Sequence, residues 1–126
     1  MSTILIVEDN EKNMKLVRDI LRYKGHTTLE AVNGLDGVRL AREHKPDLVL
    51  MDIQLPDIDG ITALRRIRED KALDAIPVLA VSASVMPDEQ QKIVTSGFDF
   101  YITKPIVLKS FLDTVQRFLT DGRKRV

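Results

Sequence analysis

The sequence has 126 residues, 44% of them hydrophobic and 30% charged, which is the composition of one folded domain and not of a disordered chain. Lysine plus arginine equals aspartate plus glutamate at 19 each, and cysteine is absent, so the composition excludes general attraction to nucleic acid, disulfides and thiolate-bound metals. No apolar run is long enough to span a membrane and no signal peptide precedes the first predicted strand, so a soluble, cytoplasmic protein is expected.

Strand and helix patterns alternate five times along the chain. Apolar and β-branched segments predict strands at residues 3–7, 27–31, 47–51, 78–82 and 100–103. Helical spacing of apolar residues predicts helices at about residues 11–24, 35–41, 61–69, 88–96 and 108–119. Asn33-Gly34, Pro46, Pro77 and Gly97 mark boundaries between these elements.

Alternation of strands with helices of this length is typical of right-handed βαβ units. Five such units predict an α/β fold, a doubly wound three-layer sandwich with a five-stranded parallel sheet. We assign residues 1–120 to this domain and residues 121–126 to a short, loose, basic tail. In such folds, ligands bind beyond the carboxyl ends of the strands.

Polar side chains collect at those strand ends. The first strand is followed by Glu8 and Asp9, the third by Asp52, the fourth ends in Ser82, and the fifth leads into Lys104. Three carboxylates at one sheet edge repel one another unless a cation lies among them. The oxygen-only donor set favours Mg²⁺, with Mn²⁺ as a possible substitute, over zinc or copper.

With a metal present, Asp52 becomes a candidate nucleophile. An aspartate carboxylate can form an acyl phosphate, and the metal neutralises charge on the incoming phosphoryl group. Ser82 and Lys104 are then candidates to contact phosphoryl oxygens. The same groups also suit phosphate binding without covalent chemistry. Asp57 and Asp59, in the loop after Asp52, are interpreted as loop and helix-capping residues.

Four motifs together resemble the receiver domain of bacterial two-component response regulators. They are L-I-V-E-D-N, K-P-D-L-V-L-M-D-I-Q-L-P-D-I-D-G, V-L-A-V-S-A and Y-I-T-K-P, and the resemblance covers about residues 3 to 120. The wording of the first two also resembles the stand-alone regulators of the DivK type. The fold so implied is flavodoxin-like, with strand order 2-1-3-4-5.

The resemblance implies the components of a phosphoacceptor site. Asp52 would receive a phosphoryl group from a phosphohistidine. Asp9 would bind Mg²⁺ directly, with Glu8 acting more through water, and Gln54 would offer its backbone carbonyl to the metal. The pair Glu8-Asp9 departs from the more frequent Asp-Asp, a variant that affects metal affinity or phosphate lifetime more than phosphorylation itself.

The resemblance also implies a conformational switch. Ser82 takes the position of the switch hydroxyl, where threonine is more frequent, and Lys104 takes the position of the invariant lysine. Tyr101 takes the position of the switch aromatic residue. A cis peptide bond is expected between Lys104 and Pro105.

The implied partners are a sensor histidine kinase or histidine phosphotransfer protein, and a downstream protein target. Helical spacing places Leu16 outside the buried stripe of the first helix, so Leu16 and Asn13 form a candidate docking surface, together with Pro105 and Ile106. The expected signal output is through protein contacts or onward phosphotransfer, by a monomer or weak dimer that has no output domain and binds neither nucleic acid nor membrane.

Other classes of protein are compatible with parts of this pattern. A haloacid-dehalogenase-like phosphatase also uses a strand-end aspartate with Mg²⁺, but it needs a second aspartate two residues later, where this sequence has Gln54. A flavodoxin-like cofactor binder needs a phosphate loop after the first strand, where Glu8-Asp9 would repel phosphate. A purely structural binding module does not need the three carboxylates, Ser82 and Lys104. The receiver interpretation predicts a self-phosphorylating phosphoacceptor and not a turnover enzyme.

Overall fold

The computed structural model describes residues 2–83 and 86–123. Its strands are β1 (Thr3–Val7), β2 (Thr27–Ala31), β3 (Leu48–Asp52), β4 (Val78–Ser82) and β5 (Phe100–Thr103). Its α-helices are α1 (Glu11–Tyr23), α2 (Gly34–His44), α3 (Gly60–Arg68), α4 (Pro87–Thr95) and α5 (Leu108–Asp121), and a short 3₁₀ turn spans Lys71–Leu73.

The five strands form one parallel sheet in the order β2-β1-β3-β4-β5, as the sequence predicts. In the register of the central strands, Val7 lies beside Met51 and Asp52 lies beside Val81. Ser82 lies beside Thr103 on the next pair. The residues that follow β1, end β3 and β4, and follow β5 therefore share one edge of the sheet.

Alternating side chains of the central strands bury two separate cores, one on each face of the sheet. Val49 and Met51 of β3 point to the face that packs against α2, α3 and α4. Leu48 and Leu50 point to the other face, which packs against α1 and α5. The structure is thus the expected three-layer sandwich, and its central strand holds Asp52 between two packed layers.

All predicted strands and helices are present, and most of them begin or end within a few residues of the predicted position. Asp52 is the last residue of β3 and not the first residue after it. The second helix is longer than its apolar pattern, because Asn33 caps its N-terminus and it continues to His44. Leu108, counted among the apolar residues of the last helix, is exposed, whereas Phe111, Val115 and Phe118 are buried.

The structure describes residues 121–123 of the segment that the sequence predicts to be a loose tail. Asp121 is the last residue of α5. The guanidinium of Arg123 donates from Nε to Asp99 Oδ1 at 2.9 Å and from Nη1 to the backbone oxygen of Asp74 at 2.8 Å. Residues 124–126 lie outside the described part of the chain, and the domain boundary at residue 120 stays a prediction. No helix among the described residues is long and apolar enough to cross a membrane.

Candidate active site

Three carboxylates meet at the carboxyl edge of the sheet. Glu8 and Asp9 follow β1, and Asp52 ends β3; one oxygen from each lies within 4.8 Å of the others. Glu8 and Asp52 are only 4% and 5% exposed, whereas Asp9 is exposed to solvent. The parallel pairing of β1 with β3 brings them together, because residues 43 or more positions apart end neighbouring strands at the same edge.

Lys104 places its ammonium group between two of these carboxylates. Its Nζ lies 3.0 Å from Glu8 Oε1 and 3.2 Å from Asp52 Oδ2. The backbone N–H of Lys104 donates to the backbone oxygen of Ser82 at 2.9 Å, which fixes the lysine at the end of β4. Burial works to lower the pKa of Lys104, but the hydrogen bond with Glu8 and the charges of Asp52 and Glu8 outweigh it and raise the pKa.

The pKa of Glu8 is raised in this cluster. Burial is the main cause that raises its pKa from 4.5 to about 7, and a hydrogen bond shared with Asp52 adds to the rise. Lys104 acts in the opposite direction, but does not cancel these effects. In the absence of a bound cation, Glu8 therefore titrates near neutral pH and not in the acidic range of a free carboxyl group.

The loop after β3 is bound closely to Asp52. The backbone N–H of Gln54 donates to Asp52 Oδ1 at 3.1 Å, and the N–H of Gly60 donates to the backbone oxygen of Ile53 at 2.8 Å. A Cβ atom at Gly60 would collide with the backbone oxygen of Asp52 and would lie 2.9 Å from Cα of Ile53. Only glycine therefore allows the start of α3 to pack against the backbone of this aspartate.

The donor set at this edge fits a hard divalent cation. The carboxylates open into a cleft of about 440 Å³ that Asn13, Gln54, Pro56 and Lys104 also line. Every side-chain donor of the acidic group is an oxygen, and Mg²⁺ prefers a few carboxylates together with water and phosphate oxygens. Burial raises the pKa of Glu8, and a cation bound nearby would favour its ionised form.

The residues assigned to the switch lie on β4 and β5. Ser82 is buried at the end of β4 and takes part in further interactions there. Tyr101 lies in register with Ala80 on the neighbouring strand, is partly buried, and packs against the core beneath α2, α3 and α4. The peptide bond between Lys104 and Pro105 is cis, as the resemblance implies.

The candidate docking residues lie on α1 and directly after Lys104. Leu16 is 45% exposed on α1, as its helical position predicts. Asn13 lines the acidic cleft. Pro105 is exposed, and Ile106 is partly buried against the core beneath α1 and α5. Their role in docking stays a prediction.

Two acids in the loop after Asp52 have different functions in the structure. Asp59 caps α3 through a 2.8 Å hydrogen bond from the N–H of Thr62, as expected. Asp57 caps a different helix: its two carboxylate oxygens accept from the N–H groups of Gly34 and Leu35 at 2.7 and 2.8 Å. The sequence contains no signal for this contact, because the partners are 23 and 22 positions away.

Asp99 is a further residue that the sequence pattern does not reveal. Its buried carboxylate accepts from the N–H of Val78 at 2.9 Å and pairs with Arg68 at 3.1 Å and Arg123 at 2.9 Å. These contacts lie at the opposite end of the strands from Asp52. Asp99 therefore belongs to the framework and not to the acidic site.

A family model described as the response regulator receiver domain matches residues 4–116. The chain belongs to the response regulator receiver family. Among curated relatives, the polar-differentiation response regulator DivK of Brucella anthropi is 44% identical over 120 residues, covering 95% of this chain and 98% of the relative. DivK of Brucella melitensis matches at the same identity and coverage. The predicted resemblance to DivK is confirmed.

Solved structures of receiver domains have the same fold. The receiver domain of the sensor histidine kinase PA1611 from Pseudomonas aeruginosa has a TM-score of 0.89 and 29% identity, and it covers 95% of this chain and 98% of that one. That structure has a magnesium ion coordinated in its active-site cleft. The signal receiver domain of a histidine kinase from Syntrophus aciditrophicus has a TM-score of 0.88 and 30% identity, with 95% and 91% coverage.

Membership of this family gives the chain a signalling function. Receiver domains of two-component systems accept phosphoryl groups from histidine kinases and act on downstream targets, and they are generally phosphoacceptors and not substrate-turnover enzymes. The haloacid-dehalogenase-like phosphatase is not favoured, because the family match and the relatives point to the receiver domain.

Proposed function

We propose that this receiver domain accepts its phosphoryl group on Asp52. The observation that carries the proposal is the position of this carboxylate: it is buried at the end of the central strand, close to Glu8 and Asp9, and 3.2 Å from the ammonium group of Lys104. A carboxylate oxygen of Asp52 attacks the phosphorus of a phosphohistidine. A P–O bond forms, the P–N bond breaks, and the imidazole nitrogen leaves with the electron pair and takes up a proton.

Glu8, Asp9, Asp52 and the backbone carbonyl of Gln54 are the groups proposed to hold Mg²⁺, or Mn²⁺ in its place. When bound, the cation neutralises the charge that collects on the phosphoryl oxygens. Lys104 is already paired with Asp52 and is well placed to contact a phosphoryl oxygen on it. Dephosphorylation is attack of water on phosphorus, which returns the free carboxylate and inorganic phosphate, and the exposed side chain of Gln54 stands beside that path.

The proposed switch couples this site to β4 and β5. Ser82 donates its hydroxyl to a second phosphoryl oxygen, and Tyr101 rotates toward the space that Ser82 leaves. Two contacts support such coupling: the backbone hydrogen bond from Lys104 to Ser82, and the pairing of Tyr101 with Ala80 between β5 and β4. The proposed output surface is formed by α4, β5 and α5, where Val94, Phe100 and Leu108 are exposed apolar residues.

The proposed partners follow from the site and the family. We place this protein in the cytoplasm. Its phosphoryl donor is a sensor histidine kinase or histidine phosphotransfer protein, which contacts Asn13 and Leu16 of α1 and the Pro105-Ile106 segment. The output is contact with a downstream protein or onward transfer of the phosphoryl group. Asn13 lines the acidic cleft, and Pro105 directly follows Lys104 of the same lining, which supports their assignment.

Phosphorylation by a small donor tests the proposal directly. The protein is incubated with phosphoramidate and Mg²⁺, and its intact mass is measured. The expected result is one added phosphoryl group that is labile to alkali, depends on Mg²⁺ and is absent in Asp52→Asn. Asp59→Asn is the matched control, because it changes an acid in the same loop that caps α3 and does not face the cleft.

Two outcomes contradict the proposal. One is an equal phosphoryl mass on Asp52→Asn, which would place the acceptor at another residue. The other is multiple-turnover hydrolysis of ordinary phosphate esters, which would favour a phosphatase.

A further inference from the structure

The loop between β3 and α3 reaches the N-terminus of α2 through Asp57. Oδ1 of Asp57 accepts from the N–H of Gly34 at 2.7 Å, and Oδ2 accepts from the N–H of Leu35 at 2.8 Å. These N–H groups open the helix and have no partner within it. Burial works to raise the pKa of Asp57, but the backbone N–H groups of Leu35 and Gly34 outweigh it and the pKa is lowered. The carboxylate is therefore ionised at neutral pH and binds both groups.

A second contact attaches the same loop to the same helix. Ile58 occupies the space that a side chain at Gly34 would need. A Cβ atom at Gly34 would lie 2.5 Å from Cγ1, 3.0 Å from the backbone oxygen and 3.2 Å from Cδ1 of Ile58. Ile58 also packs against the core that α2 shares with β1 and β3. Two consecutive residues of the loop thus contact one end of α2: Asp57 accepts hydrogen bonds from its backbone, and Ile58 packs against Gly34.

These contacts matter for the acidic site because the loop is short. Gln54 lies three residues before Asp57, and its N–H binds Oδ1 of Asp52. Gly60 closes the other end of the loop against the backbone of Asp52 and Ile53. The backbone around Gln54 is therefore held from both sides, by Asp52 and Gly60 at the base and by α2 at Asp57.

The helix α2 also packs against β1, the strand that leads to Glu8. Val38 of α2 lies in one core with Val7, the residue that directly precedes Glu8. The first turns of α2 therefore connect the chain segment that leads to Glu8 with the loop that follows Asp52. No other described side chain donates or accepts a hydrogen bond between this loop and α2 in the structure.

We propose that Asp57 is a positioning residue of the metal site, which sets the distance of the Gln54 backbone carbonyl from the carboxylates of Asp9 and Asp52 by docking its loop on the N-terminus of α2. The inference rests on the proposed function, because it assigns the Gln54 carbonyl to Mg²⁺. Asp57 itself is exposed and acts only through the backbone. Residues that orient a metal ligand typically change metal affinity by 10- to 100-fold when removed.

The test measures Mg²⁺ affinity by titration calorimetry and not phosphorylation. Asp57→Ala should weaken Mg²⁺ binding about tenfold, at the lower end of that range, because the loop keeps its anchors at Gly60 and Ile58. Asp57→Asn should lie between Asp57→Ala and the unchanged protein, since its amide oxygen retains one acceptor. The matched control is Asn33→Ala, which removes the local cap of α2, a 2.8 Å bond from the N–H of Asp36, without touching the loop.

The control separates positioning from loss of helix stability. Both alanine variants should lower the melting temperature by similar amounts, but only Asp57→Ala should change the Mg²⁺ affinity and the amide NMR shift of Gln54. Equal affinity losses in the two variants, or no loss in Asp57→Ala, would overturn the role of Asp57. If the unchanged protein bound no Mg²⁺, or bound it equally after Asp52→Asn, the proposed function itself would fail.

Discussion

The ammonium nitrogen of Lys104 lies 3.0 Å from Oε1 of Glu8. The segment after β5 is thus paired with the residue that follows β1, although β3 and β4 lie between these two strands in the sheet. Lys104 also reaches Asp52 at 3.2 Å. In the metal-free protein it is thus the cation that balances two buried carboxylates. Its removal leaves those carboxylates without a partner charge.

We expect Lys104→Met to lower the free energy of unfolding of the metal-free protein by about 1–3 kcal/mol. Loss of one partner of a fully buried pair costs roughly 3–5 kcal/mol, and the cost is smaller here because Lys104 keeps some contact with solvent and Glu8 can take up a proton. Urea unfolding at neutral pH with a chelator measures the change, and Mg²⁺ should restore part of it. Lys15→Met, in an exposed pair with Asp19, is the control and should leave the free energy of unfolding nearly unchanged.

The pKa of Glu8 predicts how the stability of the metal-free protein depends on pH. Because this pKa is about 7 in the folded protein and near 4.5 when unfolded, the folded state binds more protons between these values. The contribution of Glu8 is therefore fully present below the lower value and is lost as pH rises through 7, at up to about 1.4 kcal/mol per pH unit. Unfolding free energies measured across this range should decrease less steeply for Glu8→Gln.

Asp19 provides the contrast for the pH experiment. Its hydrogen bond with Lys15 lowers its pKa below 3.8. The contribution of Asp19 to stability is therefore present at higher pH and is lost as the pH falls into the acidic range, the reverse of the pH dependence of Glu8. Asp19→Asn should therefore leave the decrease between 4.5 and 7 in place. An unchanged slope in Glu8→Gln would show that Glu8 is not the group that titrates.

Gly60 is expected to be intolerant of any side chain. In Gly60→Ala the new Cβ meets the backbone oxygen of Asp52, so either α3 or the end of β3 must move. We expect a loss of about 2 kcal/mol in stability, the usual cost of overpacking, and slower phosphorylation by phosphoramidate. Asp59→Ala removes the cap of α3 at the adjacent position and should destabilise the protein while phosphorylation continues at its normal rate. Equal phosphorylation rates in the two variants would contradict the steric explanation.

Substitution of Leu16 distinguishes docking of the phosphoryl donor from the phosphorylation reaction itself. Its side chain is 45% exposed on α1, outside the buried stripe of Met14, Val17 and Leu21. Leu16→Ala should slow phosphotransfer from the cognate kinase or phosphotransfer protein and leave phosphorylation by phosphoramidate unchanged. Tyr23→Ala is the control, because Tyr23 is 88% exposed at the far end of the same helix. Slowing of both reactions in Leu16→Ala would contradict a docking role.

Periodicity and spacing predicted five strands that alternate with helices in a parallel sheet, whereas the strand order was implied by the resemblance to receiver domains. Parallel strands joined by helices have their carboxyl ends at one edge, so the order of elements in the sequence already predicts that Glu8, Asp52, Ser82 and Lys104 lie together. The exposure of Leu16 and the capping by Asp59 follow from the geometry of a single helix. These features depend on local sequence or on a general rule of topology.

Other features depend on tertiary packing and have no local signal. Asp57 binds α2 and Arg123 binds Asp99 through contacts 22 to 24 positions apart in the chain, and neither end carries a motif that names its partner. The raised pKa of Glu8 arises from burial and from Asp52, which exist only once the strands have paired. The sequence by itself therefore determined which residues reach the carboxyl edge of the sheet. The tertiary structure decided which partners hold them there and raised the pKa values of Glu8 and Lys104, because desolvation and long-range contact arise only when the layers pack.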